Sequence, residues 1–265
     1  MAGGLLLGAI LLAVVTAAGA WASGFRWFTV ETASMGGSAP VGTLVVTAPA
    51  RLDVLPLGTV IAFHPPTAPR EVYTHRIVAV RGDGVLTRGD INGATDGWRL
   101  QQRDLIGRAV VLLPGVGFLL RALPLLLAGN AVIRLATSRL RAPAQRAALR
   151  TIGFSLVACL PAFLQHPFIR IEVLTTQAVA GGIRASVVST GLLPVRVTAG
   201  TGQHLTLRDG QVGSLVLPVR EEGYRLASAL QLTPPEWALL LGLCALPLVW
   251  NLVVGLPDEP GEHRP

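Results

Sequence analysis

The chain has 265 residues, of which 51% are hydrophobic and 14% charged, with a formal net charge of +7 and a positive mean hydropathy; this is the composition of a membrane protein. The sequence contains no lysine, so its 22 basic residues are all arginine, and a serine–lysine catalytic dyad is excluded. Two cysteines, Cys159 and Cys244, each inside an apolar stretch, exclude a disulfide framework and a cysteine-rich metal site and read as small buried apolar residues.

Residues 3–23 carry no charge over the roughly twenty residues that a bilayer helix needs, and Phe25, Trp27 and Phe28 follow as an interfacial aromatic belt. Small residues at Ala20 and Ala22 also fit a cleavable signal peptide, but no basic residue precedes the span; an uncleaved transmembrane anchor is the reading preferred. Residues 24–108 differ in kind. Short runs such as 43–47, 59–63 and 76–80 are rich in Val and Ile and are bounded by Gly58, Pro65-Pro66, Gly82 and Gly89, a pattern of strands and turns. They predict a small, mostly-β domain.

Residues 109–133 are apolar again, interrupted by Pro114, Arg121 and Pro124, and are expected to cross the membrane. Residues 134–150 contain Arg134, Arg139, Arg141, Arg146 and Arg150 and no acid. Apolar segments flank this run, so it reads as a cytoplasmic membrane flank and not as a nucleic-acid patch. Residues 151–169 and 236–256 supply two further spans, and 257–265 a cytoplasmic tail. Residues 170–232, with alternating strands and a hairpin turn at Asp209-Gly210, predict a second small β-sandwich-like domain outside the cell. The fold class expected is therefore a membrane protein with a mostly-β domain, several transmembrane helices and a second small all-β extramembrane domain.

Three stretches of the first β region carry residues suited to chemistry: Ser34-Met35, then His75-Arg76-Ile77-Val78, then Gly89-Asp90-Ile91-Asn92-Gly93-Ala94-Thr95-Asp96. A serine hydroxyl needs a base to take its proton and donors to hold the oxyanion that follows. Without lysine, the base for Ser34 must be histidine. His75 heads a strand-like run, and Asp90 or Asp96 lies in a Gly- and Asn-rich loop able to fold back on the imidazole and fix its tautomer. By spacing alone, a serine before two glycines, an Asp after Gly and a lone histidine also fit turn and surface roles.

Taken together with the anchor and the 40–46 run Pro-Val-Gly-Thr-Leu-Val-Val, these stretches resemble the type I signal peptidases over about residues 5–118, in particular the branch that carries histidine. The resemblance implies a membrane-bound serine endopeptidase that removes signal peptides from exported preproteins at the outer face of the plasma membrane. Small residues before the scissile bond are the implied preference, and no metal or organic cofactor is needed. Ser34 matches the nucleophile and His75 the general base. Asp96 aligns with the acid that orients the histidine, with Asp90 as the alternative. The Ser34 backbone N–H and the Thr32 hydroxyl match the oxyanion donors. One departure stands out: the family's Ser-Met-x-Pro is Ser34-Met35-Gly36-Gly37 here, which exchanges a fixed torsion for a freer backbone. The implied partners are preprotein signal peptides and the lipid bilayer, with no nucleic acid. A competing reading is a catalytically impaired membrane protein whose outer β domains, residues 170–232 included, bind or assemble surface proteins. A channel or transporter fits poorly, because the spans hold few polar groups.

Overall fold

The computed structural model describes residues 2–82, 84–165, 168–180, 182–199, 202–218, 226–242 and 245. They divide into two compact units. One holds the chain as far as Gly117 together with the turn segment Asp209–Gly213; the other holds the described residues of Phe118–Arg208 and those from Ser214 onward.

The first unit opens with helix α1, Ala2–Ala22, and continues into a six-stranded sheet. Its strands are β1 (Arg26–Thr29), β2 (Leu44–Ala48), β3 (Val60–Phe63), β4 (Tyr73–Arg81), β5 (Gly84–Arg88) and β6 (Leu105–Leu113), in the spatial order β1-β2-β6-β3-β4-β5. Each neighbouring pair is antiparallel. The strands form where β-branched residues recur between Gly and Pro punctuation, and their alternation sends every second side chain into the core. Ile61, Phe63, Ile77, Val85 and Leu100 pack with Leu52 and Leu55 in one cluster; Val30, Met35, Ala39 and Val45 form another. Full burial of such a side chain contributes about 1.5–3 kcal/mol. The two clusters hold the strands that carry the site.

The sheet extends beyond the expected domain end at 108. Residues 109–113, read from the sequence as the start of a membrane segment, form the second half of β6 and pair with β2. A short continuous apolar run fits a buried strand as well as a helix; here Pro114 and Gly115, the latter at φ 76, stop the strand.

In the second unit, α2 (Val116–Thr137) and α3 (Pro143–Gln165) are both long and apolar enough to cross a membrane. Much of the arginine run is therefore helical and not a separate segment: α2 carries Arg134, α3 carries Arg146 and Arg150, and only 138–142 link them. Ala, Leu and Arg are strong helix formers, and Pro143 occupies the first helical position, where its missing N–H has no cost. Gly129 lies against Val157 and Gly153 against Ile133, so closely that a Cβ on Gly129 would fall 2.6 Å from a Val157 methyl. Small residues at such crossings let helices approach. Cys159, expected to be buried, is exposed on α3, because that face of the helix has no protein packed on it. Cys244 lies outside the described residues.

Six strands follow: β7 (Ile171–Val179), β8 (Gly182–Ser189), β9 (Val195–Ala199), β10 (His204–Leu207), β11 (Val212–Leu217) and β12 (Leu226–Leu230). They make two three-stranded sheets, β10-β9-β12 and β11-β8-β7. Val187 and Ala185 of β8 share one core with Val195 and Val197 of β9 and with Leu215 and Leu217 of β11, the arrangement of a small sandwich. Gly210, at φ 71, makes the turn between β10 and β11. Residues 234–242 are helical; most of the expected span 236–256, and the tail 257–265, lie outside the described residues.

Candidate active site

Ser34 sits on a 3₁₀ turn, Ala33–Ser38, entered from Thr32, whose backbone is extended at φ −121 and ψ 157. Met35 anchors the turn: its side chain is 1% exposed and packs with Val30, Ala39 and Val45, which leaves Ser34 at the surface of the core and not within it. As the second residue of the turn, Ser34 has a backbone N–H with no acceptor inside the turn. Gly36 adopts φ 50 and ψ −137, a conformation that a side chain opposes, and a Cβ there would lie 2.4 Å from Ile91 Cγ2.

His75 is in β4, opposite Ile61 of β3. Alternation along the strand buries His75 and Ile77 and turns Arg76 the other way. The imidazole lies edge-on to Tyr73 and Phe63, at 5.7 and 6.1 Å between ring centroids, and Trp98 packs on both of those rings. This aromatic bed fixes the ring plane.

The three sequence-predicted groups converge. His75 Nε2 is 3.1 Å from Ser34 Oγ, and Nδ1 is 2.7 Å from Asp96 Oδ2. The His75 and Asp96 side chains are 6% and 7% exposed. A carboxylate only accepts, so the ring proton is on Nδ1 and the lone pair of Nε2 faces the serine hydroxyl. Asp96 is held twice more: Thr87 Oγ1 donates to Oδ2 at 2.6 Å, and the Asp96 N–H donates to the Thr87 carbonyl at 2.9 Å.

Asp90, the alternative acid, is engaged elsewhere. Its two oxygens accept from Arg76 Nε and Nη2 at 2.8 and 2.7 Å. The Arg76 guanidinium, with lesser help from the Ser38 hydroxyl, holds the Asp90 carboxyl below the usual carboxylate range despite some desolvation; Asp90 in turn raises Arg76. Asp90 faces Arg76 because strand alternation sends neighbours 75 and 76 to opposite sides. Thr32 is exposed and makes no capping bond to the turn that follows it.

Sequence reasoning passed over three residues. Thr87 faces inward two positions after Val85 on β5, and a polar residue on a buried strand face close before an acidic loop was the available signal. Gly89 lets the loop touch the nucleophile: a Cβ there would lie 2.6 Å from the Ser34 carbonyl oxygen and 2.9 Å from Ser34 Cβ. Arg76, adjacent to the histidine, gave no signal of its partner, which is fourteen residues away. Among the described residues, no group of three or more His, Cys, Asp or Glu is placed to hold a metal ion.

Residues 5–94 match the family model described as signal peptidase, peptidase S26, a segment that contains Ser34, His75 and Asp90 and stops just short of Asp96. No curated protein matches the chain significantly.

Proposed function

From the match of residues 5–94 to the family model described as signal peptidase, peptidase S26, we propose that this chain is a membrane-bound serine endopeptidase that removes signal peptides from exported preproteins, using the histidine and not a lysine as its base. The observation that carries the reading is the continuous relay from Ser34 Oγ through His75 to Asp96, with contacts of 3.1 and 2.7 Å.

In the proposed reaction, His75 Nε2 takes the Ser34 hydroxyl proton as Oγ attacks the carbonyl carbon at the cleavage site. The Ser34 N–H and the Thr32 hydroxyl are the candidate donors to the oxyanion. Collapse of the tetrahedral species breaks the C–N bond, and His75 returns the proton to the departing amine of the mature protein. Water, deprotonated by His75, then attacks the ester on Ser34; its collapse frees the signal peptide's carboxyl end and restores the serine hydroxyl. Asp96 keeps the ring in the productive tautomer and offsets the charge it acquires. Membrane anchoring suits this reaction, since enzyme and substrate each bring an apolar segment to one bilayer, which confines the encounter to a surface. With α1 and helices α2 and α3 as spans and the arginine-bearing link inside, the β-sheet unit lies on the outer face of the plasma membrane.

The test is processing of a preprotein by membranes carrying the full chain. Ser34→Ala and, separately, His75→Ala are each expected to lower the rate by roughly a thousandfold or more. Processing that survives both substitutions overturns the proposal.

A further inference from the structure

The first unit is built from two separate pieces of chain, the run up to Gly117 and the turn segment Asp209–Gly213. Turn tips ordinarily face water, yet Gly210 is buried, and so is Oδ1 of its neighbour Asp209. What covers Gly210 is the nucleophile turn. A Cβ on Gly210 would lie 2.6 Å from the carbonyl carbon and oxygen of Gly36 and from the nitrogen of Gly37, and a Cβ on Gly36 would lie 3.3 Å from the Gly210 carbonyl oxygen. Backbone meets backbone here, which glycine alone permits. We infer that Asp209–Gly213 forms a wall of the substrate cleft beside Ser34 and limits the size of the residues that flank the cleavage site, a role that rests on the peptidase reading above.

Consecutive Cα atoms lie about 3.8 Å apart, so Gly36 Cα is at most about 7.6 Å from Ser34 Cα. A long side chain next to the attacked carbonyl spans much of that distance. Ser34 keeps part of its surface free, so the turn borders the nucleophile without sealing it. Ala39, fully buried, already ties the end of the nucleophile turn into the core; the contact with Gly210 is not needed to hold that turn, and its effect falls on the space beside it. The cover also lies where the sequence departs from Ser-Met-x-Pro, because a proline at 37 would add a ring carbon to the nitrogen on which Gly210 packs. A packed wall yields little, and one methylene too many against such a wall costs roughly ten- to two-hundredfold in kcat/KM.

The experiment follows processing by membranes carrying the full chain, on preproteins that are identical except for Ala or Leu immediately before, or immediately after, the cleavage site. Asparagine tolerates positive φ, so Gly210→Asn keeps the turn while its Cβ drives the turn and the Gly36–Gly37 peptide apart. Gly202→Asn is the control: Gly202 has φ 83 and open space around it. The parent is expected to prefer Ala at least tenfold in kcat/KM, Gly210→Asn to lose about tenfold of that preference at one of the two positions, and Gly202→Asn to keep it. Hydrogen–deuterium exchange of a peptide spanning 35–38 is expected to rise in Gly210→Asn alone. A parent without preference, a preference untouched by Gly210→Asn, unchanged exchange at 35–38, or an equal loss on every preprotein overturns the wall, the last by making the turn a support for the nucleophile. Processing by Ser34→Ala is a different failure, which removes the peptidase reading and the wall together; an unchanged preference in a chain that Ser34→Ala inactivates removes the wall alone.

Discussion

At the residue scale the site depends on one carboxylate oxygen. Asp96 Oδ2 receives both His75 Nδ1–H and the Thr87 hydroxyl, so Asp96→Asn puts an amide where only an acceptor serves. An amide nitrogen facing Nδ1 moves the ring proton to Nε2, where it points at Ser34 Oγ and blocks proton abstraction. A loss in kcat of roughly 10³- to 10⁴-fold is expected, as for serine–histidine enzymes deprived of the acid. Thr87→Val removes one bond to a charged group, worth about 1.5 kcal/mol, and is expected to cost roughly tenfold. Preprotein processing followed for both variants checks the ranking; Asp96→Asn within twofold of the parent removes Asp96 from the relay. Much of this was legible in the order Ser34, His75, Asp96 and in the absence of lysine. The partner of each aspartate was not, because strand alternation and the path of the 89–97 loop decide it, and neither is written in the spacing. The same holds for Gly89, whose need for bare backbone shows only where the loop meets Ser34.

At the element scale, hydrophobic period and turn chemistry located most strands, and the failures have a common cause. Residues 109–113 are apolar without alternation, and a five-residue run of that kind leaves strand and helix equally open; pairing with β2 decides. The Asp209-Gly210 turn between β10 and β11 was legible from its dipeptide, but the state of its acid was not. Desolvation pushes the Asp209 carboxyl up to about 6, and the Gly210 N–H offsets this only in part; its Oδ1 is buried without a hydrogen-bond partner among the described residues. A carboxyl whose folded value lies above its unfolded one binds more protons in the native state between those values, so stability falls as pH rises from about 4 through about 6 and stays reduced above. Asp209→Asn keeps the turn and removes the charge. Because Asp209 is only half-buried, solvent screening limits the expected gain to about 1 kcal/mol at pH 8, shrinking toward zero below about pH 4. Unfolding curves of both chains at the two pH values check this, and a gain of equal size at both would assign it to something other than the charge.

At the scale of the whole molecule, α2 and α3 raise the question of what solvates them. Leu119, Leu127, Leu135, Leu156 and Phe163 each expose more than 60% of their surface, and exposed apolar surface on this scale marks a face made for lipid or for a partner. At about 1.5 Å per residue, the 23 residues of α3 run roughly 35 Å, enough for a hydrocarbon core of about 30 Å. Composition alone made the apolar character of these segments legible; the ends of the helices were not, because Arg134, Arg146 and Arg150 are as good helix formers as the leucines beside them. Cys159 offers a direct test. It lies six residues, or about 9 Å, before the end of α3, on an exposed face, so its thiol is open to reagent in water and sealed from it in lipid. In a Cys244→Ala background within sealed membranes, a charged maleimide is expected to leave Cys159 unmodified. A cysteine introduced at Ser138, in the link between the helices, is expected to react only when the reagent has access to the inner face. Solubilisation in denaturing detergent should bring Cys159 to full labelling. If Cys159 instead reacts in sealed membranes as fast as a cysteine at 138 reacts in opened ones, α3 is not a span, because the thiolate that attacks maleimide forms only where water reaches it.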